Sequence, residues 1–189
     1  MKWTHAGLAV FTLCAASPVL AQAESATTIM AAERAALEKL AWMNGQWRGE
    51  AITQTHGGEH RVTQTERIGD FLGGTIKLLE GRGFGADGKV GFNAFGVISC
   101  DPATGRYTLH SYAQGRAGDF VLTPTIDGYV WEIPAGPMTI RYTAKVAEGV
   151  WTETGERIAP GKPPEQFVIM RLRRIGDSDW PEAGALTPR

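Results

Sequence analysis

From Trp47 to Ile175 the chain runs through about ten short strand-like segments, each closed by a turn signal, with no helical period between them. The segments are Trp47 to His56, Arg61 to Leu72, Thr75 to Phe84, Val90 to Cys100, Tyr107 to Gln114, Asp119 to Thr123, Tyr129 to Ile133, Met138 to Val146, Val150 to Ile158 and Gln166 to Ile175. Glycine pairs or Pro/Asp/Gly clusters separate most of them, Gly73-Gly74 and Asp101-Pro102-Ala103-Thr104-Gly105 among them. Parallel strands need long crossovers, usually helical, so a βαβ sheet is excluded and sequential antiparallel hairpins remain. The expected class is all-β: an up-and-down barrel of about ten strands, wide enough to enclose a cavity.

Ahead of the strands, Thr28 to Met43 reads as one helix, with Ile29, Met30, Leu37, Leu40, Ala41 and Met43 as its apolar stripe. Thr28 is the expected N-cap, and Asn44-Gly45 the stop. One amphipathic helix cannot bury its face alone, so it is expected to cap one mouth of the barrel. Residues 1–23 read as an export leader: Lys2, an apolar run from Ala6 to Ala16, and small-residue cleavage sites ending at Ala21 or Ala23. The expected organisation is leader 1–23, capping helix 24–44, barrel 45–175 and a loosely ordered tail 176–189 with Trp180 as an anchor. The expected location is periplasmic or secreted.

Charge excludes some functions. With 19 Lys and Arg against 20 Asp and Glu, and no basic block, the chain offers no nucleic-acid-binding face. No apolar run of the mature chain is long enough for a membrane helix. Cys100 would be the only cysteine after leader removal, a small buried residue rather than a nucleophile.

Alternation defines two faces per strand without saying which looks inward. Met138, Ile140, Tyr142, Ala144 and Val146 share one face; Val168, Met170 and Leu172 share another; Phe92, Ala94, Gly96, Ile98 and Cys100 a third. The aromatics Phe92, Phe95, Tyr107, Tyr112, Tyr129, Trp131 and Trp151 are spread over the middle strands, and some must line or fill the lumen. His110 and Tyr112 share a face, Glu132 and Arg141 lie on neighbouring strands, and Glu153 and Arg157 share a face with Trp151. If inward, these groups orient a ligand in an apolar lumen. The expected ligand-binding set is His110, Tyr112, Trp131, Arg141 and Trp151.

Three other patterns carry less. His56-Gly57-Gly58-Glu59-His60 has helical metal spacing, but its glycines make it a hairpin tip, expected to turn at Gly57-Gly58 with His56 opposite Glu59. Gly81-Arg82-Gly83-Phe84-Gly85 opens no helix, so its glycines serve curvature or close approach rather than a phosphate. The few serines, with no Gly-x-Ser-x-Gly elbow, give no expectation of a triad. No catalytic residue, metal or cofactor is called for.

Gly45-Gln46-Trp47, after a helix and at the start of the first strand, resembles the lipocalin entrance motif. In lipocalins this Trp plugs one end of the barrel beneath an Arg of the last strand, which implies Trp47 as the plug and Arg171 or Arg173 as its cation–π partner. Trp47-Arg48-Gly49-Glu50, with Gly96 to Tyr107 (Gly-Val-Ile-Ser-Cys-Asp-Pro-Ala-Thr-Gly-Arg-Tyr), is similar to the bacterial DUF1579-like family over roughly Leu40 to Ile175. That likeness implies a calycin-like barrel and no particular reaction. Nitrobindin-like haem barrels share the architecture and ligate iron through a late-strand histidine, but this chain has no histidine after His110. The expected function is therefore lipocalin-like binding of a small hydrophobic, acyl or aromatic ligand. The alternatives are a cofactor-free isomerase, cyclase or hydrolase with His110 as base, or an interaction module with a filled barrel.

Overall fold

A computed structural model describes the backbone of residues 18–180 and the side chains from residue 25 to 180. The expected leader lies mostly outside these residues. Ten antiparallel strands close into one barrel in sequence order, with the first strand pairing the last. They are β1 (Gly45–Thr55), β2 (Gly58–Phe71), β3 (Ile76–Phe84), β4 (Val90–Asp101), β5 (Arg106–Ala113), β6 (Arg116–Pro124), β7 (Gly128–Ala135), β8 (Met138–Ala147), β9 (Val150–Ile158) and β10 (Glu165–Gly176). Each falls within a few residues of the segment read from the sequence. Among the described residues no helix is long and apolar enough to cross a membrane.

The N-terminal helix differs from expectation. Helix α1 spans Pro18–Leu37, so Thr28 lies inside it rather than capping it. Glu38–Met43 tightens into a 3-10 turn and ends at Asn44, as the Asn-Gly stop implied. Only the last part of the stripe reaches the barrel. Leu37, Leu40 and Met43 are buried, whereas Ile29 and Met30 face solvent.

The 3-10 turn seals one end. Trp47 is 2% exposed; its Nε1 donates to the Met43 carbonyl oxygen at 2.8 Å. Trp42 drops from the turn against Trp47, Tyr129 and Trp151, with ring centroids 5.3–6.4 Å apart. Ile68, Ile98, Leu109, Leu122 and Leu172 close the packing around them. Gly45 makes this entry possible. Its φ is +134°, and an added Cβ would lie 2.8 Å from the Gly176 carbonyl oxygen.

Trp47 plugs the barrel, but its expected arginine partners are elsewhere. Arg171 and Arg173 pair with Glu50 and Arg48 on the outer face. The last-strand arginine at the plug is Arg174, which stands opposite Trp47 in the unbroken β1–β10 register, just before the bulge between Gln46 and Trp47. Its Nε donates to the Asn44 carbonyl oxygen at 3.3 Å, so it binds the turn's backbone, not the indole face. Neighbouring rings take that role.

A second clamp holds the same end. Lys77, 1% exposed, donates to both Asn44 Oδ1 and Asp70 Oδ1. Asn44 Nδ2 donates in turn to Asp70 Oδ2 at 2.6 Å. Turn, β2 and β3 are thus tied by one polar triangle. Burial pulls the Lys77 ammonium below its usual pKa, against the opposing pull of Asp70.

The two partners of this pair are unequally placed, which makes a mutational asymmetry. Asp70 is 41% exposed and can return to water, whereas Lys77 cannot. Urea unfolding should show Asp70→Ala losing about 3 kcal/mol, because it strands a buried ammonium, and Lys77→Met losing about 1 kcal/mol or less. Equal losses would contradict this account of the clamp.

Candidate functional site

Register assigns the two faces. Trp47, Gly49 and Ala51 of β1 point inward, and across the ladder so do Val62, Gln64, Glu66 and Ile68 of β2. Followed around the barrel, the same parity turns Leu109, Trp131, Tyr142, Trp151, Glu153, Arg157 and Met170 inward. The apolar faces of β4, β8 and β10 read from the sequence are all lumen faces.

Of the expected ligand set, Trp131 and Trp151 are inside. His110, Tyr112 and Arg141 are outside, because each is one residue out of step with its strand's inward set. Arg141 Nε donates to Glu132 at 2.7 Å on the outer surface. His110 lies between Asp119 (Nδ1 to Oδ1, 2.8 Å) and Ser99 (Nε2 to Oγ, 3.3 Å). This is a Ser–His–Asp chain the sequence gave no reason to expect. It sits on a sheet face whose backbone N–H groups are engaged in strand pairing, so it has no oxyanion hole. A lumen enzyme with His110 as its base is ruled out by this placement. Tyr112 instead lines an outer groove of about 660 Å3 with Phe95, Glu80 and Arg82.

The hairpin tip is also corrected. Thr55 pairs with Gly58 and Thr53 with His60, so the turn is His56-Gly57. Thr55 Oγ1 accepts from the Gly57 N–H at 3.2 Å and donates to the Gly58 carbonyl at 2.8 Å, which fixes the turn one residue early. Near the other terminus Trp180 does anchor the tail. It stacks under Arg67 at 4.1 Å and fills the space above Gly69, where a Cβ would lie 2.7 Å from Trp180 Cβ.

Inside the barrel, directly above the aromatic plug, stand two carboxyl groups. Glu153 accepts from Tyr129 Oη at 2.7 Å and from Trp131 Nε1 at 3.4 Å. Glu66 accepts from Gln64 Nε2 at 2.7 Å. Among the described residues neither carboxyl has a lysine or arginine within ion-pair distance. Burial, reinforced by the charge of Glu153, pushes the Glu66 pKa up to about 8. Burial also raises Glu153, against the three donors around it. The phenol of Tyr129 is raised well above its usual value by burial and by the same carboxylates.

Glu66 fits because β3 opposes it with Gly81. A Cβ there would lie 2.7 Å from Glu66 Oε1. The Gly81-Arg82-Gly83 run therefore provides close approach, of a side chain rather than a ligand. Sequence reasoning missed Glu66, although Val62, Gln64, Glu66 and Ile68 share one face and Gly81 and Gly83 lie opposite it.

Glu66, Trp131, Tyr142, Glu153 and Met170 all point inward and each keeps partial solvent exposure. Trp131 and Tyr142 stack at 4.4 Å, 10° from parallel, forming a flat wall. Beside this wall, β6 and β7 pair over only Leu122–Trp131, Thr123–Val130 and Pro124–Tyr129, so the barrel is least closed next to Phe120 and Trp131. Arg157, facing inward farther from the plug, lies over Phe167 at 4.4 Å and donates to Glu165 at 3.5 Å.

The architecture is similar to that in the crystal structure of Rv2717c from M. tuberculosis, with a TM-score of 0.56 and 16% identity over 74% of this chain and 97% of that one. No family model matches the sequence, and no curated protein sequence does. The likeness is one of barrel fold.

Glu66 links the lumen to stability. Its folded pKa of about 8 lies above the ordinary 4.5, so the folded state holds the proton more tightly than the unfolded chain does. Its contribution is fully present below pH 4.5 and is lost as pH rises through 8. Denaturant titrations should show this component falling by about 2–4 kcal/mol across that window, and Glu66→Gln should remove it. A wild-type profile superimposable on that of Glu66→Gln would contradict the assignment.

Proposed function

We propose that the chain is an exported, lipocalin-like protein that binds a small, largely apolar ligand in the barrel lumen. The observation carrying this reading is the partial exposure of the inward-facing Trp131, Tyr142 and Met170 beyond the aromatic plug, with Trp131 and Tyr142 stacked as a flat wall. Concave, mostly aromatic and aliphatic sites with a few polar groups are what small ligands occupy. Burial of ligand surface supplies affinity at roughly 25 cal/mol per Å2, less the cost of association. The floor is rigid because Trp42, Trp47, Tyr129 and Trp151 brace one another, and the weak β6–β7 seam is the natural entrance.

A second reading has one observation in its favour. Glu66 holds its proton at neutral pH opposite Glu153, the separated pair of acidities an acid–base enzyme uses. In this reading the lumen is the same and the expected His110 base is replaced by the carboxyls. Turnover of a bound compound that stops in Glu66→Gln while binding persists would favour it.

Location is tested with a neutral fluorescent probe, N-phenyl-1-naphthylamine. Binding should enhance its emission, and Met170→Trp, which fills the lumen, should weaken binding by about tenfold or more. Tyr112→Ala, in the outer groove, should leave binding unchanged. The reverse pattern would move the site to the outer groove, and no binding by the wild type would reject the reading.

A further inference from the structure

The outer face of the wall formed by β10, β1, β2 and β3 is basic, on a chain whose formal net charge is -1. One row of outward side chains crosses it in register: Arg173 of β10, Arg48 of β1, Thr65 of β2 and Arg82 of β3. Arg67 follows Thr65 along β2 on the same face. Arg173 and Arg48 are directly opposed across the β1–β10 ladder, and like charges so placed destabilise a sheet. Among the described residues neither has a carboxylate within ion-pair distance. Glu50, the next outward residue of β1, is held by Arg61. The opposed pair thus costs stability and gains the fold no ion pair.

The middle of the row is hollow. Thr65 is the short side chain in it, and its hydroxyl turns down to donate to the Arg82 carbonyl oxygen at 3.4 Å. Over it lies a cavity of about 210 Å3 walled by Arg48, Arg67 and Arg82. Two of these guanidiniums are already positioned. Glu80 accepts from Arg67 at 2.9 Å through one oxygen and from Arg82 through the other, and Arg67 stacks on Trp180 at 4.1 Å. The charge does not cancel. Among the described residues the four arginines are offset only by Glu80 and Asp179, which leaves two positive charges. The cavity adjoins the outer groove of about 660 Å3, Glu80 and Arg82 lining both. There Phe95 and Tyr112, 37% and 55% exposed, present an apolar surface.

We propose that this outer face binds a soluble organic phosphate, its phosphoryl group over Thr65 among Arg48, Arg67 and Arg82 and its apolar part in the groove beside Phe95 and Tyr112. The site is separate from the lumen and stands whether or not the lumen holds a ligand. Guanidinium forks match the oxygens of a phosphate, and charge-assisted hydrogen bonds to them are strong. A dianionic monoester meets the two uncompensated charges and relieves the Arg48–Arg173 repulsion. The adjoining aromatic side chains favour an organic phosphate over the inorganic ion.

Isothermal titration with 1-naphthyl phosphate, 1-naphthol and inorganic phosphate tests this. The ester should bind at least about tenfold more tightly than either of the others. Its affinity should rise with pH through the second phosphate pKa of about 6 and fall as salt is raised. Arg48→Gln, which breaks no ion pair and removes the like-charge contact, should melt no lower than the wild type yet bind the ester about tenfold more weakly. Tyr112→Ala should bring the ester down toward inorganic phosphate. Arg141→Gln, on the outer surface of β8, should leave ester binding unchanged.

Equal binding of ester and naphthol, or wild-type affinity in Arg48→Gln, would overturn the proposal. So would displacement of N-phenyl-1-naphthylamine by the ester, which would put the ester in the lumen. Capture of the protein by phosphatidic acid vesicles without binding of the soluble ester would replace the small molecule by a membrane surface and overturn it as well. If the ester binds as described and N-phenyl-1-naphthylamine does not bind, the lumen reading falls alone.

Discussion

The structure depends on the way one end of the barrel is shut. An antiparallel ring of ten strands encloses more space than its inward side chains fill, so something must build a core at one level for the ring to keep its shape. Here that level is an aromatic cluster. Trp47 of β1, Trp151 of β9 and Tyr129 of β7 meet Trp42 from the 3-10 turn, largely edge to face. The hydrogen bond from Trp47 to the Met43 carbonyl, the Arg174 contact to Asn44 and the buried Lys77 clamp fix the turn over the cluster. With that end fixed, the rest of the lumen need not be packed.

What lies above the plug costs the protein something. Glu66 and Glu153 are surrounded by rings, glycines and each other, and the donors they have leave their burial only partly offset. Glycine at position 81, which weakens a strand, is what makes room for Glu66. Among the described residues the inward cations lie at the plug and toward the far mouth, Lys77 with Asp70 and Asn44 and Arg157 with Phe167 and Glu165, and none is paired with Glu66 or Glu153. The outer Ser99–His110–Asp119 chain has a catalytic look but no enclosing surface.

The strands were legible because each turn carries its own mark, the glycines and the proline loop above all. The plug was legible because Gly45 and Trp47 have separate physical jobs, one of backbone and one of packing. Which face looks inward was not, because a period of two is symmetric until a ring closes. That ambiguity put His110, Tyr112 and Arg141 inside when they are out. The Trp47 partner escaped because only the β1–β10 register, which the alternation of a strand does not fix, puts Arg174 rather than Arg171 or Arg173 opposite Trp47. The helix already runs through Thr28, because Ser25, Ala26 and Thr27 before it do not break it. Glu66 escaped for a different reason. A glutamate in a strand reads as solvent-facing, and only its pairing with Gly81 across the ladder shows it to be inside.

The central claim is that the lumen floor is a low-dielectric chamber holding Glu66 and Glu153 together. Carbon-13 NMR of the glutamate side-chain carboxyls, followed against pH and assigned with Glu66→Gln and Glu153→Gln, measures it directly. The account predicts one resonance with a midpoint near 8, lost in Glu66→Gln, and a second, from Glu153, displaced above the ordinary 4.5. If every glutamate titrates together in the ordinary carboxylate range, water fills the floor and the account of this barrel as a desolvated binding chamber is wrong.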